Sequence, residues 1–465
     1  MTNRSFDVIV IGAGPAGEVI AGRCAEGGLS VAIVERELVG GECSYWGCIP
    51  SKVLVRPGEL VAAAKRVPGA AEAVTGPVDV EAALARRDEA TSGWNDAGQI
   101  PWLTERHVEV LRGAGRLTRA KSVSVTAADG AVTTFTALRA VVIATGTTAA
   151  IPPVEGLGDV AAWTNREVTA MKSVPERLLV LGGGPIGAEM AQAVCRLGAA
   201  EVTIIEGADR LFAREEPFVG DEVRAALEAD GITVLTGARL AAVRRTGAVG
   251  PVVATLADGR QLIGDEILVA AGRRPATSDV GLETVGLTPG KPIDADERLR
   301  ATGLGGDWLY AVGDCNGRAL LTHMAKYQAR IAADVILGRD ASDAAGHRAL
   351  PRVTFTDPQV AAVGLTEAQA REQGIDVRSV TYGTGAVAGA YTMGNAGIGT
   401  SKLVVDQARR VIVGATFTGP SVQELLHAAT IAIVGEVTLD RLWHAVPSFP
   451  TVSEVWLRLL ETYGL

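Results

Sequence analysis

The run Asp7–Gly17, DVIVIGAGPAG, decides the fold, because it returns later in the chain as RLLVLGGGPIG, Arg177–Gly187. Each copy is a short apolar run, a glycine cluster and then a helix-period segment. Each is followed by a second apolar run ending in an acid: VAIVERE with Glu35, and VTIIEG with Glu206. That is strand, turn, helix and strand, twice over. Unbroken apolar strands of this kind suit a parallel sheet covered on both faces.

The turns themselves carry chemistry. Gly12, Gly14 and Gly17 fit the dinucleotide fingerprint, and Pro15 and Ala16 complete it. The first glycine permits the tight turn, the second lets a pyrophosphate approach the backbone, and the third lets helix and strand pack closely. The helix start then supplies N–H donors and a positive dipole end. Glu35 lies about twenty residues on, where a carboxylate accepts ribose hydroxyls. Gly182, Gly184, Pro185, Ile186, Gly187 and Glu206 repeat the pattern. A lone glycine cluster often just makes a loop. Two clusters, each between a strand and a helix and each with its acid in place, imply two different dinucleotides. A carboxylate at Glu206 repels a 2′-phosphate and favours NAD, while Arg210 and Arg214 keep NADP open.

Two further apolar runs end in a glycine turn, RAVVIATG at Gly146 and DEILVAAGRRP at Gly272, and read as strands closing the two units. The segment from Lys52 to about Leu111 is rich in Ala, Glu and Arg and reads as helices broken by Pro57 and Pro68. From Pro351 the strands become shorter and alternating, which favours a separate α+β domain. The expected order is a nucleotide-binding unit over 1–150, a second over 151–272, a return to the first over 273–345, and a terminal domain over 346–465. The fold class is α/β, with two doubly wound, Rossmann-like domains and a C-terminal α+β domain.

With 465 residues the chain has room for about three domains. Its 48% hydrophobic and 21% charged residues are those of an ordinary globular protein. A formal charge of −9 argues against nucleic acid or an anionic membrane as the main partner. No apolar run is long enough to span a bilayer, and the N-terminus has no secretory pattern, so a cytoplasmic location is expected. No metal site is expected.

The five cysteines are Cys24, Cys43, Cys48, Cys195 and Cys315, too few and too odd in number for a disulfide framework. Cys43 and Cys48 stand apart, in GGECSYWGCIPSK, Gly40–Lys52. In an ideal helix, residues five apart have Cα atoms about 8.7 Å apart, beyond the roughly 7 Å limit of a disulfide. The pair can bridge only across a distorted turn, which Gly47 makes cheap. Otherwise these are two unpaired cysteines, the common cytosolic state.

GGECSYWGCIPSK, the two fingerprints, VVIATG, AAGRRP, LYAVGDCN with LLTHMA, and FTDPQVAAVGLTE together resemble the class I pyridine nucleotide-disulfide oxidoreductases. That family includes dihydrolipoamide dehydrogenase, glutathione reductase and mercuric reductase. The resemblance covers essentially the whole chain and implies a homodimer, with the partner's C-terminus closing each disulfide site. It implies FAD on the first fingerprint and NAD(P)H on the second, with NAD favoured. Around FAD it further places Lys52, Ala114, Thr145, Gly146, Asp314, Leu321, Thr322 and His323. Glu189 is implied as the ion partner of Lys52, and Gly272 joins the NAD(P) set. Cys43 and Cys48 are implied to form a redox-active disulfide, with Cys48 as the thiolate facing the flavin and Cys43 as the thiol that attacks an outside disulfide.

The pattern breaks near the C-terminus. Where the family's disulfide reductases carry His-Pro-Thr-x-Ser-Glu, this chain has Phe449-Pro-Thr-Val-Ser-Glu454. The orienting glutamate is present as Glu454, but a phenyl ring carries no proton. General acid–base help is worth roughly 10²–10⁴-fold, so its loss matters for dithiol exchange. His444 can take the role only if the chain bulges, which Pro447 permits; otherwise it is a surface or packing histidine. Mercuric reduction is disfavoured, because the ending LRLLETYGL has no cysteine pair. The expected function is therefore electron transfer from NAD(P)H through FAD to the cysteine pair and on to a disulfide. The alternatives are an NAD(P)H:quinone or other acceptor reductase working from the flavin, and a flavin-bearing redox sensor with negligible turnover.

Overall fold

The computed structural model describes residues 4–247, 250–346 and 348–465; the first three residues of the N-terminal reading lie outside the described residues. The chain divides into two compact units. One holds residues 1–50, 88–150 and 273–346, and the other holds 51–87, 151–272 and 347–465.

In the first unit the strands Val108–Arg112, Val31–Glu35, Arg4–Ile11 and Val132–Ile143 lie side by side and parallel, in that order. The second half of Val132–Ile143 also takes Leu309–Ala311 in parallel, and its first half pairs antiparallel with Ser122–Thr126, which pairs in turn with Ala114–Arg119. Successive side chains of a strand point to opposite faces. Val8 and Val10 accordingly enter one core with Ile20, Ala21 and Ala329, and Ile9 and Ile11 enter another with Val141 and Leu309. Each such Val, Ile or Leu side chain contributes roughly 1.5–3 kcal/mol on burial. The unbroken apolar strand is thus explained by cover on both faces.

The second unit repeats the plan with Thr233–Leu235, Glu201–Ile205, Arg177–Leu181 and Glu266–Val269 in parallel. Beside it run the antiparallel strands Leu240–Arg245, Val252–Leu256 and Gln261–Gly264. Residues from Arg352 onward form a five-stranded antiparallel sheet, in the order Arg352–Thr354, Gln359–Gly364, Val411–Gly419, Thr400–Asp406 and Val377–Gly383. The helices Val422–Val434 and Val455–Tyr463 pack on it.

Two local expectations are corrected. Pro57 does not break a helix: one helix runs Cys48–Lys65 with Pro57 inside. Proline there costs a hydrogen bond and about 3 kcal/mol. The helix persists because tertiary packing outweighs propensity, Leu54 being fully buried among Leu178, Met190 and Val194. The helical reading also runs too far, since Val108–Arg112 is a strand paired in parallel with Val31–Glu35. Val108 and Val110 are β-branched, a strand signal that the surrounding Ala, Glu and Arg obscure.

Candidate active site

The two fingerprint turns are wired alike. Gly12 and Gly182 sit at φ +102° and +110°, where an added Cβ would lie 2.5 Å from the carbonyl oxygens of Ala144 and Ala270 respectively. At Gly17 and Gly187 a Cβ would fall 1.9 Å from the carbonyl oxygen of Gly12 and of Gly182, so only glycine allows this helix–strand approach. Beside Gly14 and Gly184 there is open space. The helices Pro15–Glu26 and Pro185–Arg196 then begin with proline in the first turn, which loses nothing because that N–H has no intrahelical partner.

The acids are held the same way. Glu35 accepts the N–H groups of Ala13 and Glu37, both at 2.8 Å. Glu206 accepts those of Gly183 at 2.6 Å and Ala208 at 2.7 Å. Against the first turn lies a cavity of about 160 Å³, lined by Gly12, Glu35, Arg36, Ala114, Arg116 and Thr145 among others. Thr145 Oγ1 is buried with no partner among the described residues. A glycine cradle, a carboxylate and a hydroxyl with no partner among the described residues, all in one cavity, fit a bound dinucleotide such as FAD. Gly146, at φ +69°, turns the chain next to Thr145.

The cysteine turn is joined to that fingerprint. Gly40 donates its N–H to the carbonyl of Ala13 at 2.8 Å, and a Cβ on Gly41 would lie 2.9 Å from Gly14 Cα. Cys43 lies in the short helix Gly41–Tyr45, and Cys48 opens the next helix after Trp46 and Gly47. This interruption is the distorted turn that the spacing requires. Gly47 serves by its size, since a Cβ there would come within 3.0 Å of the Glu42 carbonyl oxygen. The two sulfurs face each other at 2.7 Å, both half-buried. Thr322 Oγ1 lies 3.2 Å from Cys48 Sγ. The Cys43 thiol is pushed well above the usual thiol range, by its hydrogen bond with Cys48 first and by burial second, against the opposing pull of Thr322 and Lys326.

Thr322 opens the helix Thr322–Ile336, with Leu321 as its N-cap; the neighbouring His323 is exposed. Asp314 lies in the turn Gly313–Asn316, and its Oδ2 accepts from Thr147 Oγ1 at 2.9 Å. Burial pushes the Asp314 carboxyl up, while the Thr147 bond and the Arg273 charge pull it down. Thr147, Arg273 and Glu42 are missing from the sequence-derived site. AAGRRP contained Arg273, but nothing in its spacing pointed to the cysteines.

In the second unit Lys52 Nζ lies 2.6 Å from Glu189 Oε2 and over the Phe355 ring, 4.7 Å from its centroid. The other oxygen of the buried Glu189 accepts the Phe355 N–H at 2.9 Å. Gly272 takes φ +123° at the end of this unit's sheet. Phe449 is 76% exposed, and His444 is exposed as well. Glu454 is buried, with Oε1 bonded to Arg458. Among the described residues no group of three His, Cys, Asp or Glu could hold a metal ion, and no helix is long and apolar enough to cross a membrane.

Two fingerprint domains, a facing cysteine pair and a terminal antiparallel domain define a flavin- and nicotinamide-dependent redox protein. The chain belongs to the pyridine nucleotide-disulphide oxidoreductase family, whose model matches residues 6–329 and whose dimerisation domain matches residues 350–459. Its members use FAD and NAD(P)H, and so does this enzyme. The chain is 33% identical to the dihydrolipoyl dehydrogenase of Mycobacterium leprae, over 97% of its own length and 96% of the relative's. It is 31% identical to the mercuric reductase of Staphylococcus aureus, over 97% and 81%. Among solved structures it is similar to LpdA of Mycobacterium tuberculosis, with TM-score 0.87 and 26% identity over 99% and 100% of the two chains. It is also similar to the HOCl-induced flavoprotein disulfide reductase RclA of Escherichia coli, with TM-score 0.86 and 25% identity over 99% of each.

Proposed function

We propose that this flavoprotein passes electrons from NAD(P)H, with NADH preferred, through FAD to the Cys43–Cys48 pair and from there to a disulfide substrate. The observation that carries the reading is the cysteine geometry: two sulfurs at 2.7 Å, one of them on Thr322, in a turn bonded to the first fingerprint. Residues 1–150 with 273–345 form the FAD part, 151–272 the NAD(P) part, and 346–465 the contact between two copies in a homodimer. Gly12, Gly14 and Gly17 with Glu35 hold FAD, together with Thr145 and Asp314. Gly182, Gly184 and Gly187 with Glu206 hold the nicotinamide dinucleotide. FAD, when bound, supplies the hydride-accepting chemistry that links a two-electron nicotinamide donor to a dithiol.

The protein groups do the rest. Opening of the Cys43–Cys48 bond leaves Cys48 sulfur as a thiolate, and Thr322 Oγ1 is placed to donate to it. The Cys43 thiolate attacks the substrate disulfide, breaking its S–S bond and releasing one thiolate. Cys48 then attacks the mixed disulfide, expelling the second sulfur and restoring the Cys43–Cys48 bond. NAD(P)H supplies the two electrons and, with its hydride, one proton, and solvent supplies the second proton, so the two released substrate sulfurs leave as thiols.

Phe449 supports a second reading, in which a quinone-type acceptor takes electrons at the flavin, because no histidine stands where the family keeps its base. Steady-state assays separate the two. NADH-dependent reduction of lipoamide that vanishes in Cys43→Ser is the expected result. Quinone turnover that survives Cys43→Ser, with no disulfide reduced by the parent enzyme, establishes the second reading instead.

A further inference from the structure

We infer that Arg273 is a positioning residue that fixes the cysteine turn against the Asp314 turn, and so sets how well the flavin side and the dithiol exchange electrons. The inference rests on the reading of Asp314 as a cofactor contact and of Cys43–Cys48 as the working pair.

The geometry is a chain of four contacts within one unit, linking Glu42, Arg273, Thr147 and Asp314. Arg273 Nε donates to Thr147 Oγ1 at 2.7 Å, and Nη2 donates to the Thr147 carbonyl at 2.9 Å. The Thr147 hydroxyl then donates to Asp314 Oδ2 at 2.9 Å. From its other side Arg273 Nη2 reaches Glu42 Oε2 at 3.5 Å, and Glu42 immediately precedes Cys43. Arg273 and Glu42 are both mostly buried, so solvent screens the pair less than it would a surface contact.

The hub is itself rigid. Arg273–Pro275 pairs antiparallel with Thr147–Ala149, placing Arg273 opposite Ala149. The guanidinium is a planar fork, so two donors to Thr147 fix its plane, and the same Nη2 is left pointing at Glu42. Any shift of the Gly41–Tyr45 helix is therefore felt at Asp314, and the reverse. Electrostatics agree with that layout: Arg273 favours an ionised Asp314 while Glu42 opposes it. None of these groups exchanges electrons or attacks substrate. Their effect is on alignment, where a displacement of about 1 Å costs on the order of 10²-fold in rate.

The test compares FAD-loaded wild type with Arg273→Gln, Glu42→Ala and the double variant. The readout is the ratio of NADH:lipoamide turnover, which needs the dithiol, to NADH:ferricyanide turnover, which needs only the flavin. A second readout is the dithiol–disulfide equilibrium of each protein against a glutathione redox buffer, scored by alkylation of free thiols. Arg273→Gln is expected to lower the ratio about tenfold and to shift the equilibrium at least threefold. Glu42→Ala should do the same in kind, with the double variant no worse than the poorer single one. A ratio unchanged within twofold in both single variants overturns the inference. Additive losses overturn it as well, because Arg273 would then not act through Glu42. If Arg273→Gln fails to fold, Glu42→Ala decides alone by the same two readouts. Lipoamide turnover that is lost in Cys43→Ser but keeps its ratio in Arg273→Gln overturns only this inference. Lipoamide turnover that survives Cys43→Ser overturns the proposed function too.

Discussion

Arg458 donates from Nη2 to Glu454 Oε1 at 2.7 Å, one helical turn away, while Oε2 of the same carboxylate is buried with no partner among the described residues. Glu454, the acid of the motif whose histidine position holds Phe449, is thus only half-satisfied.

Phe449→His is expected to raise NADH-dependent lipoamide reduction at pH 8 by roughly 10²-fold, the low end of what a general base contributes. The rate should then rise with pH through an ionisation near 6.5 that the parent lacks. Stopped-flow or steady-state rates across pH 5–9 check this, and a flat profile with no gain defeats it.

Glu206→Ala removes the carboxylate that meets the N–H groups of Gly183 and Ala208. KM for NADH should rise about tenfold, as expected for one lost charge-assisted contact, while KM for NADPH stays level or falls. A preserved NADH preference would place cofactor selection elsewhere, with Arg210 the next residue to change.

Lys402 Nζ lies 2.8 Å from both Glu216 and Glu367, in a buried cluster of the second unit. Lys402→Met strands two acids and should cost about 3–5 kcal/mol, read as a lowered urea midpoint. Glu367 is held down to about 2, by the Lys402 hydrogen bond first and by Ser379 and Arg371 next. Its folded value is below its unfolded one, so it stabilises fully above about pH 4.5 and progressively less as pH falls toward 2. Chemical denaturation should show that acid-side slope in the parent and lose most of it in Lys402→Met.

Glu18 behaves oppositely. Burial raises it to about 7, with Glu35 adding to the effect and Lys326 opposing it. A carboxyl raised in the folded state is least costly when protonated, so its penalty is absent below about pH 4.5 and full above 7. Glu18→Gln should raise the Tm of flavin-free protein at pH 8 and leave it nearly unchanged at pH 5. Equal shifts at both pH values would remove the titration from the explanation.

Much of the fold was legible because its signals are local and doubled. Gly12 and Gly17 have counterparts in Gly182 and Gly187 doing the same steric job, and Glu35 and Glu206 make matching bonds. The spacing of Cys43 and Cys48 requires a break if they are to meet, and the interruption at Trp46–Gly47 is that break. What escaped notice depends on contacts far apart in sequence. Thr147 meets Asp314, and Arg273 meets Glu42, across separations that no periodicity encodes. The helix runs through Pro57 for a similar reason, since the packing of Leu54 that carries it comes from elements more than a hundred residues away.

The hydrogen bond from Gly40 to Ala13 gives the nucleotide turn and the reactive turn a common foundation. A geneticist who selected for lost redox activity would therefore recover lesions at Ala13, Gly14 and Gly41 alongside the cysteines themselves. Such alleles would mimic one another in the assay though their residues share no chemistry.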